Sequence, residues 1–181
     1  MTSQLSEKTS YAIDSAHTTA AFVVRHLMIA KVRGLFAGVS GTIEFERNSD
    51  VPSSVRAAIN ATSIDTREAQ RDAHLKSADF FEVTKYPTLE FVSTRIEGSA
   101  ENFTIHGNLT IHGVMRAVAL KAAFEGRGPD MQGGQRVGYS ASTTINRKDF
   151  GLNWNAALET GGVVVGDEVR IELDVQGTLR P

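Results

Sequence analysis

The sequence predicts an all-β domain, and three features of its 181 residues indicate this. Apolar and polar residues alternate along most of the chain, which is typical of strands with one buried face. Short connections rich in Gly, Asp and Asn separate these stretches and indicate antiparallel neighbours, because parallel sheets are apolar on both faces. Few amphipathic helices are available to cover such a sheet. It must therefore pack as a sandwich or close on itself as a barrel.

About eight strands follow from the alternation. Near the end of the chain, for example, Val169, Ile171 and Leu173 alternate with Arg170 and Glu172. Each strand presents its apolar residues to the interior and its polar residues to solvent. The predicted strands are centred on Phe22–Val24, Ile43–Phe45, Val55–Ala61, Leu89–Phe91, Phe103–Ile111, Val118–Phe124, Val137–Ile145 and Val169–Val175.

One short helix is predicted between strands, from Thr66 to about Ser77. Asp65 and Glu68 have the spacing of a capping box, which marks the beginning of a helix. Most side chains of this segment are polar, so we expect the helix to lie at the surface.

The remaining segments complete a single domain. Residues 27–32 are predicted to form one helical turn, and residues 126–134 a flexible loop rich in glycine. Residues 1–10 are predicted to be a disordered or extended N-terminal segment. No repeat or linker divides residues 11–181, which we expect to form one β-barrel domain.

Composition excludes several classes of function. A net charge of −2 gives no general attraction to nucleic acid. The absence of cysteine excludes disulfides, thiolate metal sites and cysteine nucleophiles. No apolar run approaches the ~20 residues that span a bilayer, so we expect no stable membrane insertion. The first residues lack the basic and apolar regions of an export signal, and we therefore expect a cytoplasmic protein.

Small residues interrupt the predicted inward face, among them Gly41, Ala57, Gly107, Ala122 and Ala141. Such residues either complete a filled, tapering core or leave room for a ligand inside an eight-stranded barrel. Both interpretations remain open from the residues alone. In the second, the interior is a hydrocarbon tunnel. The alternation along the strands then predicts which residues point inward and line the tunnel. They are Phe22, Val24, Phe45, Ile59, Phe91, Ile105, Leu109, Leu120, Phe124 and Tyr139.

The predicted helix carries Arg67, Arg71 and His74 at positions i, i+4 and i+7, and hence on one face. Two such arginines repel each other unless an anion lies between them, and arginine binds a pyrophosphate or carboxylate bidentately. Local pairing with Asp72, Asp79, Glu82 or another acidic side chain is the alternative, since charged helix faces are usually solvated. Further candidates for the mouth of a lumen lie on connecting segments or at a strand end: His26, Leu75, Phe80, Phe81, Phe150 and Trp154.

The five histidines show no metal-ligand spacing, so we expect neither a metal site nor a cofactor. Catalysis requires positioned titratable groups, and the inward faces offer few. An enzyme acting on a lipid or isoprenoid is the alternative to a carrier, with His26 or Tyr139 as acid or base. An inward His26 paired with a carboxylate would favour the enzyme, whereas a purely apolar tunnel would favour the carrier.

Short motifs occur in a fixed order from about residue 11 to residue 178. They are Tyr11–His17, Phe22–Met28, Gly34–Phe36, Gly41–Phe45, Ser63–Thr66, Arg71–Phe81, Lys85–Phe91, Gly107–Val114, Asn146–Gly151 and a closing strand that begins at Gly166. This ordered set resembles the YceI-like family over nearly the whole domain.

The resemblance implies an elongated, lipocalin-like, eight-stranded antiparallel barrel with a long lumen. It also implies that the lumen holds a polyisoprenoid or a similar long amphiphile, such as an isoprenoid quinone or a fatty-acid-like chain, for transport or storage. A homodimer is consistent with it. We therefore expect a binding or carrier protein that is not an enzyme. The tail of its ligand would lie in the lumen, with an anionic head group near Arg67, Arg71 and His74. Many relatives carry an export signal, which this sequence lacks.

Overall fold

The computed structural model describes residues 8–180, which fold into eleven β-strands and one α-helix, with three single-turn 3-10 helices between them. The strands are short before residue 66 and long after residue 87, where they run to 16 residues. The elements are β1 (Thr9–Ile13), β2 (Thr19–His26), β3 (Ala30–Phe36), β4 (Val39–Phe45), β5 (Ser54–Asn60), β6 (Ile64–Asp65), α1 (Ala69–Lys76), β7 (Thr88–Ser99), β8 (Asn102–Ile111), β9 (Val114–Pro129), β10 (Gln135–Asn146) and β11 (Val165–Leu179).

Eight of the strands close into a ring. Their order is β1, β4, β5, β7, β8, β9, β10 and β11, and β11 returns to β1 through antiparallel pairs such as Tyr11 with Leu179. Every ladder in the sheet is antiparallel, as the polar outer faces of the strands predicted. The predicted eight-stranded antiparallel barrel is therefore confirmed, and closure rather than a sandwich completes the sheet.

The barrel is elongated because two of its walls are each built from two strands in line. A 3-10 turn at Ser15–His17 separates β1 from β2, and two residues separate β3 from β4. β11 pairs with β1 near its C-terminal end and with β2 along its N-terminal half, where Asp174 lies opposite Thr19. At about 3.3 Å per residue, the 15 residues of β11 span about 50 Å.

The connections define two different ends of the barrel. The helix end carries α1, residues 77–87, the β8–β9 turn and residues 147–164. The far end carries the turns at residues 46–53, 100–101 and 130–134. No helix within the described part of the chain combines the length and the apolar character needed to span a bilayer.

Buried apolar clusters lie toward both ends. At the far end, Tyr139 stacks on Phe45 at 5.9 Å between ring centroids, and Phe45 meets Tyr11 edge to face at 5.5 Å. Such aromatic pairs add to the stabilisation from burial. A second cluster, toward the helix end, includes Phe36, Val39, Ala61, Ile64, Phe150 and Leu152.

The predicted helical turn at residues 27–32 is wrong. Leu27 and Met28 instead form a tight turn between β2 and β3, with φ angles of 53° and 63°, and Ile29 N–H donates to the His26 carbonyl at 3.2 Å. Seven residues of each strand pair across this hairpin, from Ala20 with Phe36 to His26 with Ala30. That ladder outweighs the local helical preference of the segment.

The predicted boundaries of the helix and of the glycine-rich loop also shift. Helix α1 begins at Ala69, because the Glu68 carboxylate accepts hydrogen bonds from the Gln70 and Arg71 N–H groups and caps the helix itself. Asp65 does not form the predicted capping box and accepts a bond from Arg67 N–H instead.

The predicted loop at residues 126–134 begins as strand. Gly126–Pro129 continue β9 and pair with β10, so only residues 130–134 form a turn. In that turn the Asp130 carboxylate accepts bonds from Gln132 and Gly134 N–H. At the N-terminus, β1 begins at Thr9, inside the segment predicted as disordered or extended. Residues 1–7 of that segment lie outside the described residues.

Asp14 ties β1 to β10. Its Oδ2 atom accepts a bond from Arg136 Nη1 at 2.6 Å and lies 2.8 Å from His17 Nδ1, and its Oδ1 accepts from Ala16 N–H. The Arg136 bond, followed by the His17 contact, lowers the pKa of Asp14 from 3.8 to about 2. The ionised carboxylate therefore stabilises the folded state.

We expect the difference in unfolding free energy between the wild type and Asp14→Asn to depend on pH. The folded-state pKa of Asp14 lies below its unfolded value, so its contribution is fully present above about pH 4 and is lost as the pH falls toward 2. Urea unfolding across pH 2–7 measures it. A difference between the two proteins that stays constant over this range would contradict the assignment.

Candidate ligand-binding cavity

A cavity of about 230 Å³ lies inside the barrel. It extends from Pro52 and Val55, near the far end, to Leu75, Phe80 and Phe81 at the helix end. A single water needs only ~10–15 Å³, so this is no packing defect. Closure of eight strands leaves a space about wide enough for one ligand where the lining is not bulky throughout.

Two phenylalanine rings of the cavity wall pack against glycines of the neighbouring strands. The ring of Phe91 lies over Gly107, where a Cβ atom would stand 2.4 Å from the ring Cζ. Phe22 lies over Gly34 in the same way, at 2.1 Å. Each glycine gives its neighbouring ring the space of an absent side chain. The small residues seen in the sequence therefore serve the cavity in two ways: Ala57, Ala122 and Ala141 line it, and Gly107 seats the ring of Phe91.

The lining is almost wholly apolar. Among the described residues that line it, only Thr18, Tyr139 and Arg147 carry polar side-chain groups. The Thr18 hydroxyl lies against the backbone of Gln176, donating to its carbonyl at 3.4 Å and accepting from its N–H at 3.2 Å. The Tyr139 hydroxyl donates to the Asp50 carbonyl at 2.9 Å. These polar groups are thus satisfied by the barrel itself.

Burial also keeps Tyr139 neutral. Desolvation raises the pKa of its hydroxyl above the usual range, and the positive charge of Arg127 offsets only part of that effect. The neutral hydroxyl cannot act as a base at neutral pH, and it already donates its hydrogen bond to the backbone carbonyl of Asp50.

Arg147 braces the helix end. Its side chain is only 3% exposed, and its guanidinium donates to the carbonyls of Gly166, Leu152, Trp154 and Val165 at 2.6–3.3 Å. The five N–H groups of arginine suit such a set of acceptors. Burial lowers its pKa, which Asp167, 3.7 Å away, counteracts. Residues 152–166 are therefore held over the end of the barrel by one side chain.

No role was predicted for Arg147. It stands in the motif Asn146–Gly151, and an arginine directly after an alternating strand was the available signal. The acceptors of its hydrogen bonds lie 5 to 19 residues further along the chain, in segments without a strong sequence pattern.

Eight of the ten residues predicted to line the lumen border the cavity, and Phe45 and Phe124 do not. Phe45 lies at the end of β4 and packs into the far-end cluster. Phe124 pairs directly with Tyr139 and likewise packs against the far-end cluster, beyond the cavity. Its ring packs on Tyr139 and lies 5.9 Å from the Arg127 guanidinium.

The candidates for the mouth divide similarly. Leu75, Phe80 and Phe81 border the cavity. Trp154 does not, but its ring packs on Phe80 at 5.4 Å and forms the layer outside it. Phe150 is buried in the helix-end cluster and does not reach the cavity, because the 3-10 turn that carries it points it into that packing. His26 lies at the end of β2, opposite Ala30 and Val165, and does not border the cavity either.

The predicted basic face of the helix does not form. Arg67 precedes α1 and is exposed, with a φ angle of 63°, so it cannot share a helix face with Arg71 and His74. Arg71 donates to the hydroxyl and carbonyl of Thr66, both at 2.8 Å. His74 pairs with Asp79 at 2.8 Å, which is the local pairing named as the alternative, and its ring packs on Trp154.

Metal ligands are not grouped in the described residues. No three His, Asp or Glu side chains between residues 8 and 180 are placed to hold an ion. His106 lies on the outer face with Arg95 and Glu97, and His112 lies in the β8–β9 turn, 3.3 Å from Glu82.

Replacement of Arg147 by Met should destabilise the fold by about 2–4 kcal/mol, because several buried carbonyls lose their donors. Lys148→Met is the matched control. Lys148 is half exposed and pairs with Asp167 at 3.2 Å, so its loss should cost less than about 1 kcal/mol. Urea unfolding at pH 7 measures both. Equal, small effects would show that Arg147 does not brace this end.

Comparison with known proteins agrees with this architecture. The model of the YceI-like domain matches residues 11–177. The UPF0312 protein SAS2572 of Staphylococcus aureus is 35% identical over 172 residues, which cover 94% of this chain and 98% of that protein. Protein YceI of Shigella flexneri is 39% identical over 144 residues, covering 78% of this chain and 75% of that one.

Solved structures share the barrel. The YCEI protein of Campylobacter jejuni has a TM-score of 0.75 at 28% identity, over 87% of this chain and 90% of that chain. A polyisoprenoid binding domain from Saccharophagus degradans has a TM-score of 0.68 at 16% identity, over 94% and 98% of the two chains, which shows a common fold. With its closed barrel, its apolar lumen and a family match over nearly its whole length, the chain belongs to the YceI-like family.

Proposed function

We propose that this protein binds a long apolar chain, such as a polyisoprenoid, in the lumen of the barrel, and that it acts as a carrier. The enclosed cavity supports this most directly, since its walls are apolar and its three polar side chains are bonded to the backbone. Such a site offers hydrocarbon contact along its length. It offers no unsatisfied polar group that would select a compact polar ligand.

The affinity of such a site comes from burial of methylene groups. Each buried CH₂ contributes about 0.8 kcal/mol, so a run of ten carbons gains about 8 kcal/mol before the cost of ordering the chain. A closed barrel is already shaped for the ligand, which limits the cost on the protein side. The name of the Saccharophagus degradans domain, which shares the fold, supports a polyisoprenoid as the ligand class.

Entry at the helix end fits the packing. Helix α1 has no buried residue, and it contributes only Leu75 to the cavity wall. The far end is instead closed by the packed rings of Tyr11, Phe45 and Tyr139. The tail would therefore enter beneath α1, past Phe80 and Phe81. A polar head group would remain outside, where Arg67 is exposed.

Catalysis on the same ligand has weaker support. The ionisable side chains that border the cavity, within the described residues, are Tyr139 and Arg147. Both donate to backbone carbonyls. His26, the other candidate acid or base, lies at the end of β2 and does not reach the lumen. No inward His–carboxylate pair is present among the described residues, which favours a carrier over an enzyme.

A charge placed in the lumen should abolish binding, whereas the same charge on the outer face of the same strand should not. Leu109 borders the cavity, and Thr110, its neighbour on β8, has the opposite parity and pairs with Glu90 and Met115. Leu109→Arg should weaken binding at least tenfold, since burying an unpaired charge is costly. Thr110→Arg should bind as the wild type does.

A fluorophore linked to a geranylgeranyl chain serves as the probe, titrated against each protein, with circular dichroism to verify folding. If Leu109→Arg does not fold, Ala141→Phe tests the same point by adding a ring to the cavity wall. Equal affinity of the lumen and surface variants, or no binding to the wild type, would refute the proposed function.

A further inference from the structure

The tip of the β2–β3 hairpin exposes three consecutive apolar side chains. Leu27 is 36% exposed, Met28 52% and Ile29 83%. These residues stand at the helix end, beyond the last pair of the hairpin ladder, His26 with Ala30. Isolated exposed apolar residues are common, but three in a row at a projecting tip indicate a contact surface.

The backbone of the tip, which presents these apolar side chains, is strained. Leu27 and Met28 both lie in the left-handed region, with φ angles of 53° and 63°. A hairpin turn with two consecutive positive φ angles favours Asn-Gly, and large apolar residues rarely occupy it. A sequence selected for stability alone would have relaxed residues here. Strain of this kind points to a function for the side chains that it presents.

Positive charge surrounds the tip. Arg25 lies directly opposite Lys31 in the hairpin register, one pair below the turn. Like charges in that position repel each other, and neither residue has a carboxylate within 4.0 Å among the described residues. Arg33, further from the tip, is instead paired with Glu172 at 2.9 Å. The two cations beside the apolar tip are therefore left for an external anion.

The hairpin also borders the cavity at the helix end of the barrel. Val24 in β2 borders the cavity, and so does Val165, which pairs with His26. Leu27 N–H donates to the Val164 carbonyl at 2.8 Å. An external surface to which the tip binds would therefore face the helix end of the barrel.

We propose that this hairpin tip docks on an anionic lipid bilayer. Leu27, Met28 and Ile29 enter the boundary between head groups and acyl chains, while Arg25 and Lys31 remain at the level of the phosphates. This layering of apolar and basic side chains matches the layering of a membrane interface. Three side chains at a point are too few for a stable protein interface, which needs about 800 Å² on each partner.

The docking inference rests on the proposed function for its purpose, since it would bring the lumen to a source of apolar ligand. Its physical basis is separate. The net charge of −2 gives the protein no general attraction to anionic lipid, so binding depends on the local cations of the hairpin.

Flotation with vesicles tests the proposal, using the full-length protein with vesicles of phosphatidylcholine alone or with 30% phosphatidylglycerol as the probe (about a third anionic lipid, as in a charged membrane surface). Wild-type protein should float with the anionic vesicles and release at high salt. The double variant Leu27→Asn/Met28→Gly replaces the tip with a relaxed turn, so it should fold at least as stably and lose membrane binding at least tenfold.

Arg25→Gln/Lys31→Gln should lose roughly fivefold per cation removed. Met131→Gly, at a fully exposed methionine in the far-end turn, is the matched control and should bind as the wild type does. Equal flotation of the wild type and the tip variant would overturn the proposal. So would a tip variant that only converts a dimer to a monomer in sedimentation velocity, since the tip would then contact a second copy.

The geranylgeranyl probe separates this inference from the proposed function. Tip variants should bind the probe in solution as the wild type does, because none of the changed residues borders the cavity. Vesicle binding without probe binding would refute the lumen proposal and leave the docking surface standing. Probe binding without vesicle binding would refute the docking surface and leave the lumen proposal standing.

Discussion

Closure of the sheet is the constraint on which the rest of the molecule depends. When β11 pairs with β1, each of the eight strands of the ring has two neighbours, and their inward side chains face a common lumen. An open sheet of the same sequence would expose its apolar face along about 50 Å, the length of β11. Closure also removes the unpaired strand edges that invite aggregation. The apolar lumen is thus a direct consequence of closing a sheet whose strands each have one apolar face.

Whether that lumen is filled or open depends on where the aromatic rings lie. Phe22 and Phe91 fold over glycines of neighbouring strands, so their volume is taken up by the wall. Rings of Tyr139 and its neighbours are instead concentrated toward the far end, where they close it. The helix end is held differently, by hydrogen bonds from Arg147 to residues 152–166 and by the short helix α1. The far end is closed by packed rings and the helix end is held by hydrogen bonds, so the two ends of the cavity are not equivalent.

Much of this followed from the sequence, because alternation along a strand is a local property. Parity alone placed Leu109 and seven other residues on the cavity wall. It does not show where along the barrel the cavity ends, because that depends on packing between strands; Phe45 and Phe124 therefore lie in the far-end cluster instead. The turn at Leu27 was missed for a similar reason: the pairing of β2 with β3 imposes a conformation that leucine does not favour. Arg147 escaped notice because its acceptors are backbone carbonyls, which no sequence pattern reveals. Arg67 was misplaced because the helix begins at residue 69.

The proposed function requires that the lumen hold a long apolar molecule. Native mass spectrometry of protein purified without detergent or organic solvent measures this most directly. We expect a fraction of the protein to carry an added mass that organic extraction removes, and the extract to contain an isoprenoid or similar long chain. A population that is only apo, and that remains so after incubation with a prenol of about ten or more carbons, would contradict the claim and leave the barrel without a ligand.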